Sequence, residues 1–301
     1  MKKDLLKLLD LSQEEILEIL NRADQMKYDL KNGIKHRVLK GKTLAMIFSK
    51  SSTRTRVSFE TGMYQLGGQA LFLSHNDLQI GRGEPVEDTA RVLSRYVDGI
   101  MIRTFEQKEV EDLAKYGSIP VINGLTDFEH PCQILADLMT VREYHSALEG
   151  VKVSWIGDGN NVCNSLIVGA LKCGMKVSVA TPKGYEPHAD ILAFAKGNAA
   201  FSLLNSPEEA AESADVVVTD VWASMGQEEE AGKRMADFAG FQINDKIMSL
   251  AHEKAIVLHC LPAHREEEIT AKVFEANAGP IFDEAENRLH AQKAVMALLM
   301  G

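Results

Sequence analysis

Short apolar runs alternate with amphipathic stretches along almost the whole chain. The runs are rich in β-branched residues and carry few polar side chains, which is typical of strands buried on both faces of a parallel sheet. The stretches between them repeat apolar residues at helical spacing. The predicted strands are 43–48, 69–73, 99–103 and 119–122, then 151–156, 176–180, 200–204, 215–219 and 255–259.

Helix signals lie between these runs. Ser12 and Glu15 have the spacing of a capping box, and the helical periodicity that follows them stops at Gly33. Such alternation of strands and helices predicts an α/β fold with two doubly wound parallel-sheet domains joined by interdomain helices. Other helices are predicted at 54–66, 85–97, 106–116, 131–145 and 284–299.

The alternation restarts near Gly150, and 301 residues suit about two domains. We expect residues 1–147 to form the first domain and residues 148–282 the second, with the C-terminal helix, 283–301, packing back on the first. Ligands of open α/β sheets bind at the carboxyl ends of strands. Unusual polar residues follow strands in both halves, so we expect one cleft between the domains.

The charge and the cysteine content of the chain disfavour several classes of function. The formal net charge of −10 disfavours binding to nucleic acid or to an anionic membrane. The four cysteines lack CxxC spacing, which predicts free thiols rather than a disulfide framework or a zinc site. We therefore expect a cytoplasmic protein whose basic clusters are local sites for small anions.

The stretch SKSSTRTR, residues 49–56, follows the first strand and precedes a predicted helix. Backbone N–H groups and the positive end of the helix dipole favour a phosphate at such a position. Ser52, Thr53 and Thr55 can donate hydrogen bonds, and Arg54 can bind two oxygens at once. From these residues alone, a phosphate site and an ordinary capped, solvated helix start are about equally well supported.

Two familiar phosphate-binding motifs are only partly matched by the sequence. GKT at 41–43 lacks the P-loop glycine, since position 36 is His, and it precedes its strand. GDGNNV at 157–162 resembles the start of a dinucleotide fingerprint, but Val162 replaces the third glycine and no acid ends the next strand. NAD binding is therefore a weak alternative, and a tight strand–helix turn explains the glycines equally well.

Each of the other motifs has a functional and a purely structural interpretation. In HPCQ, His130 and Gln133 lie one helical turn apart and suit one ligand, although these residues alone favour an ordinary N-cap histidine. Asp220 and Cys260 each follow a strand, and a lone cysteine is most often buried and inert. Arg288 in EAENR is most simply explained by an ion pair with a glutamate one turn earlier.

Taken in order, SSTRTR, DTARVLSRY, the arginine that ends the third strand, HPCQILAD, GDGNN, DVWASMGQEEE, HCLPAHR and EAENR resemble the aspartate/ornithine transcarbamoylase family. The resemblance covers the chain from about residue 40 to Gly301. The SMG segment and HCLP resemble the ornithine branch. Arg82 stands where the aspartate enzymes typically have a lysine.

The resemblance implies transfer of the carbamoyl group of carbamoyl phosphate to L-ornithine, which gives L-citrulline and phosphate. It implies no metal and no organic cofactor, and a homotrimer with active sites shared between subunits. The first domain would bind carbamoyl phosphate and the second ornithine. The alternatives are a transcarbamoylase for another amine, such as putrescine, and a non-catalytic paralogue.

The resemblance also assigns roles to single residues. Catalytic roles fall to Arg103, His130, Cys260 and Asp220. Gln79 would reach the site of a neighbouring subunit. The residues implied to bind carbamoyl phosphate are Ser52, Thr53, Arg54, Thr55, Gln79, Arg103, His130, Gln133, Cys260, Leu261 and Arg288. Those implied to bind ornithine are Asn161, Asp220, Ser224 and Met225.

Overall fold

The computed structural model describes residues 3–223 and 230–301. The chain divides into two compact units. The first comprises Met1–Ala136 together with Asn287–Gly301, and the second is Asp137–Glu286. Each unit contains one parallel sheet, so the predicted fold class is confirmed.

The sheet of the first unit has four strands in the order β2-β1-β3-β4, and every pairing is parallel. The chain therefore reverses its direction of winding between β1 and β3, and the carboxyl ends of these two strands flank the switch point where α/β proteins bind ligands. The strands are β1 (Thr43–Phe48), β2 (Gln69–Ser74), β3 (Gly99–Arg103) and β4 (Val121–Leu125). The helices in chain order are α1 (Gln13–Lys31), α2 (Thr53–Gln65), α3 (Val86–Leu93), α4 (Gln107–Tyr116) and α5 (Pro131–His145).

The sheet of the second unit has five parallel strands in the order β7-β6-β5-β8-β9, with its switch point between β5 and β8. The strands are β5 (Lys152–Ile156), β6 (Lys176–Ala180), β7 (Phe201–Leu204), β8 (Val216–Thr219) and β9 (Ile256–His259). The helices are α6 (Asn161–Lys172), α7 (Ala189–Ala195), α8 (Pro207–Ala211), α9 (Ala231–Asp237), α10 (Asp245–Met248), α11 (Ala271–Ala276) and α12 (Ala278–Met300).

Each unit has its own apolar core. In the first, the buried faces of β1, β3 and β4 pack against α3 and α4 through residues such as Ile47, Ile100 and Leu113. In the second, aromatic side chains including Trp222 and Phe238 extend the core beyond the sheet. None of the helices in the described ranges has both the length and the apolar character that crossing a bilayer requires.

The largest differences between predicted and observed boundaries lie in α3, β4 and α12. α3 ends at Leu93, because the hydroxyl of Ser94 bonds back to the carbonyl of Ala90 at the helix end. β4 begins at Val121, since the preceding Pro120 has no N–H for the ladder. α12 begins at 278, earlier than predicted, and the division between the units falls within both α5 and α12. The predicted domain boundaries at 147/148 and 282/283 stay a prediction.

Candidate active site

The basic stretch of the sequence forms the N-terminus of α2. Ser52 is the N-cap, and its side chain accepts a hydrogen bond of 3.2 Å from the backbone N–H of Thr55. Thr53 and Arg54 occupy the first turn, and the backbone N–H of Ser49 donates to the carbonyl of Arg103 at the end of β3. The amides of this turn and the helix dipole therefore lie beside the switch point of the sheet, which is an arrangement suited to an anion.

Arg288 of α12 links two other predicted site residues. Its Nη1 donates to Oε1 of Gln133 at 2.6 Å, and its Nη2 donates to Oγ1 of Thr55 at 3.3 Å. All three side chains are buried. The interpretation of Arg288 as a surface ion-pair partner does not describe these contacts, which join α2, α5 and α12.

His130 lies immediately before α5 and is buried. Burial lowers the pKa of its imidazole well below the usual value, and the positive charges of Arg288, Arg103 and Arg54 lower it further. The ring is therefore neutral at physiological pH. A neutral imidazole surrounded by three guanidinium groups can donate a hydrogen bond to an oxygen on which negative charge develops.

Gln79 is exposed and lies in the connection between β2 and α3. Its backbone carbonyl accepts hydrogen bonds from the amides of Arg82 and Glu84. The predicted contribution of its side chain to a neighbouring subunit stays a prediction.

Asp220 is the centre of a polar group in the second unit. One carboxylate oxygen accepts from Nδ2 of Asn160 at 2.8 Å, and the other accepts from the N–H of Val221 at 2.8 Å and from Sγ of Cys260 at 3.1 Å. Asn161 is the first residue of α6. The structure thus brings together the ends of β5, β8 and β9. Ser224 and Met225, which were also predicted to bind ornithine, lie outside the described residues.

Cys260 is held as a thiol. Burial raises its pKa well above the usual value, and the neighbouring charge of Asp220 acts in the same direction. A thiolate is the reactive form of cysteine, so this environment opposes nucleophilic catalysis. Leu261 follows with a backbone φ of 60°, a left-handed conformation that is uncommon for a leucine, and its N–H donates to Nδ1 of His259.

The sequence reasoning missed several supporting residues. His259 is buried, and its Nε2 bonds to Oε1 of Glu268 at 2.9 Å while its Nδ1 accepts from Leu261. Asn160 caps α6 and also donates a hydrogen bond to Asp220. The adjacent asparagines of GDGNN were the signal in the sequence for these two roles. Asp158 forms a buried ion pair of 2.8 Å with Arg234. Burial raises the pKa of Asp158 to about 6, and no local pattern indicated this partner.

Within residues 3–223 and 230–301, two groups of residues place possible metal ligands within 4.8 Å of one another. One is Asp220, His259 and Cys260, and the other is His264, Glu267 and Glu268. In both groups, hydrogen bonds between members or with neighbouring residues already account for the proximity. We therefore assign no metal to either group.

Comparison with known proteins identifies the family of the chain. A family model described as the carbamoyl-P binding domain of aspartate/ornithine carbamoyltransferase matches residues 3–143, and one described as the Asp/Orn binding domain matches residues 149–299. The chain belongs to the aspartate/ornithine carbamoyltransferase family. The expected family is thereby confirmed, and the two family domains correspond to the two parallel sheets.

Similar proteins of this family are found in bacteria and archaea. The chain is 59% identical to ornithine carbamoyltransferase of Syntrophotalea carbinolica over 100% of both chains, and 57% identical to that of Carboxydothermus hydrogenoformans over 99% and 98%. Among solved structures, ornithine carbamoyltransferase from Pyrococcus furiosus is 55% identical, with a TM-score of 0.95 over 99% and 97% of the two chains. Anabolic ornithine carbamoyltransferase from Campylobacter jejuni is 45% identical, with a TM-score of 0.94 over 99% of both chains.

Proposed function

We propose that this protein transfers the carbamoyl group of carbamoyl phosphate to the side-chain amine of L-ornithine and releases L-citrulline and phosphate. The observation that carries the proposal is the buried His130, whose pKa is lowered by burial and by the charges of Arg288, Arg103 and Arg54, together with the N-terminal turn of α2, which contains Arg54. The family membership and the ornithine carbamoyltransferases named above support it.

The first unit supplies what carbamoyl phosphate requires. The amides of the first turn of α2, with Ser52, Thr53 and Arg54, suit the phosphate group. Thr55, Arg103 and His130 are donors for the carbonyl oxygen, which gains negative charge when the amine attacks. Gln133 and Arg288 would orient the carbamoyl NH2 group and close that side. The departing phosphate also gains charge, which the helix dipole and Arg54 favour.

The second unit supplies what an α-amino acid requires. Asp220 is a buried carboxylate and suits the α-amino group of ornithine, with Asn161, Ser224 and Met225 as further proposed contacts. The backbone carbonyls of Cys260 and Leu261 are proposed to accept from the carbamoyl NH2 group. Because the environment of Cys260 favours the thiol, we assign no covalent step to it.

The attacking amine of ornithine must be neutral, and an unperturbed side-chain amine has a pKa of about 10.4 in water. Activity should therefore rise with pH until this amine has lost its proton. We further propose the anabolic direction, which the relatives named as anabolic enzymes of Pyrococcus furiosus and Campylobacter jejuni support. A cytoplasmic location is consistent with four free cysteines, and a homotrimer with Gln79 shared between subunits completes the proposal.

A parallel assay with ornithine, putrescine and aspartate tests the choice of amine. Carbamoyl phosphate is supplied at saturation, and each carbamoylated product is quantified. We expect citrulline to form with a kcat/KM at least about a hundredfold above the other two products. Putrescine lacks the α-carboxylate of ornithine, and aspartate has no side-chain amine and could react only through the α-amino group that Asp220 is proposed to bind. A dominant product from putrescine or aspartate would overturn the proposal, and the absence of any product would favour a non-catalytic paralogue.

A further inference from the structure

Residues 4–10 form what we call the N-terminal strap, which runs along the edge strand β4. The N–H of Leu5 donates to the carbonyl of Val121 at 2.9 Å, and its own carbonyl accepts from the N–H of Asn123 at 2.8 Å. Nδ2 of Asn123 donates to the carbonyl of Leu6 at 2.9 Å, and Oδ1 of Asp4 accepts from the N–H of Val121 at 2.8 Å. The strap is thus paired with the sheet like a short additional strand.

Beyond these pairings, the last part of the strap contacts the buried carboxylate of Glu129. Leu8 begins a short 3-10 helix, Leu8–Asp10, and its N–H donates to Oε2 of Glu129 at 2.7 Å. The N–H of Leu9 also donates to this carboxylate. Glu129 has 0% exposure, and burial raises its pKa to about 7. A buried carboxyl group is costly to keep, so its two backbone contacts explain why it is tolerated.

Glu129 is the residue directly before His130. Its backbone N–H donates to Oγ1 of Thr126 at 3.1 Å, and its carbonyl accepts from the N–H of Thr126 at 3.0 Å. Oγ1 of Thr126 in turn donates to Oε1 of Gln107 on α4 at 2.8 Å. The turn 126–129 is therefore held to α4 through Thr126 and to the strap through Glu129, and the chain leaves it directly into His130.

We propose that Glu129 is a positioning residue for carbamoyl transfer, which holds the His130 imidazole in place by clamping the turn 126–129 to the N-terminal strap. This inference rests on the proposed function of His130. Glu129 and His130 are joined by one peptide bond, so a shift of the Glu129 backbone also displaces His130. A displacement of about 1 Å at a reacting group costs up to about a hundredfold in rate.

Asp4 offers a matched control. It is also a carboxylate of unit 1 that accepts a backbone N–H at 2.8 Å, but it holds the opposite end of the strap. Loss of either contact should loosen the strap and lower the melting temperature. Only loss of the Glu129 contact should disturb His130.

Three variants test the proposal: Glu129→Ala, Glu129→Gln, which keeps the volume and one acceptor oxygen, and the control Asp4→Asn. Each is measured for kcat and KM in citrulline formation and for melting temperature. We expect kcat to fall about tenfold or more in Glu129→Ala and less in Glu129→Gln, with the KM for carbamoyl phosphate within about twofold, because an interaction made only in the transition state lowers kcat and kcat/KM together. Asp4→Asn should keep the wild-type kcat.

A second readout does not depend on activity. In the ligand-free protein with 15N-labelled histidines, the ring resonances of His130 are assigned by their loss in His130→Asn. We expect Glu129→Ala and Glu129→Gln to shift or broaden these resonances and Asp4→Asn to leave them in place. Unchanged His130 resonances in both Glu129 variants would overturn the inference, as would equal losses of kcat in Asp4→Asn and Glu129→Ala. An inactive wild type would overturn the proposed function alone, and the resonances would still decide the role of Glu129.

Discussion

Arg288 and Gln133 are joined by a hydrogen bond of 2.6 Å from Nη1 to Oε1, although 155 residues separate them in the chain. The same guanidinium reaches Thr55 in the first turn of α2. One side chain of the last helix therefore ties together two segments that sequence reasoning assigned to carbamoyl phosphate. The proposed anion site of the first unit therefore includes a residue from the last helix of the chain.

Arg54→Ala should weaken the binding of carbamoyl phosphate by about tenfold or more, since one charge-assisted contact to phosphate contributes roughly 1.5–3 kcal/mol. Arg56→Ala is the matched control, because Arg56 lies on the same helix but pairs with Glu60 on its exposed side. Titration calorimetry with carbamoyl phosphate measures both affinities. Equal affinities for Arg54→Ala and the wild type would place the anion elsewhere.

Asn160→Ala should destabilise the protein by about 1 kcal/mol through the loss of a helix N-cap. It should also raise the KM for ornithine by about fivefold or more, because the mutation removes a hydrogen bond of roughly 1 kcal/mol that holds Asp220. Asn244 caps α10 with two backbone contacts, as Asn160 caps α6, so Asn244→Ala is the control for the cap alone. Steady-state kinetics and thermal unfolding separate the two effects. A KM that rises equally in both variants would contradict the role given to Asn160.

Stability should fall as the pH drops below about 6.5, in part because of His130. The folded-state pKa of this histidine is lowered, so the unfolded chain binds a proton that the native protein does not. The contribution of His130 is therefore complete above its unfolded pKa of 6.5 and is lost as the pH falls toward its folded pKa. Urea unfolding of the wild type and His130→Asn at several pH values measures it. The difference between the two should diminish toward acid. Parallel curves for the wild type and His130→Asn would refute the assignment.

Cys260→Ser should slow turnover without abolishing it. The serine hydroxyl can still donate to Asp220, whereas the raised pKa of the thiol leaves little thiolate for nucleophilic attack. Intact-mass spectrometry during turnover of the wild type should find no carbamoyl adduct on this residue. Cys173→Ser, at a buried cysteine of the second unit, controls for loss of a thiol. A trapped adduct on Cys260, or complete inactivity of Cys260→Ser alone, would show that the thiol has a covalent role.

The sequence pattern predicted the strands well because each is a short apolar run, and the polar residues that follow them marked the ligand edge of each sheet. The family resemblance, rather than the local pattern, assigned roles to His130 and Arg288. Physical reasoning left both open, since their partners are distant in the chain. For the same reason, no local pattern could predict the contact between Glu129 and Leu8, which are 121 residues apart.

The supporting residues of the second unit show the same limit. Asp158 and Arg234 carry opposite charges, but 76 residues separate them and each is an ordinary polar residue in its own segment. His259 and Glu268 are closer in sequence, yet only the path of the chain after β9 brings their side chains together. Periodicity describes which face of an element is buried, whereas such pairs depend on how the elements are assembled.

Following the carbamoyl carbon itself tests whether the protein transfers this group to ornithine. The purified protein is given carbamoyl phosphate labelled with 13C at the carbonyl carbon, together with L-ornithine, and labelled citrulline and released phosphate are both quantified over time. Carbamoyl transfer to ornithine predicts that the two products appear together in a one-to-one ratio and that Arg54→Ala lowers both equally when carbamoyl phosphate is limiting. Phosphate release without labelled citrulline would contradict it.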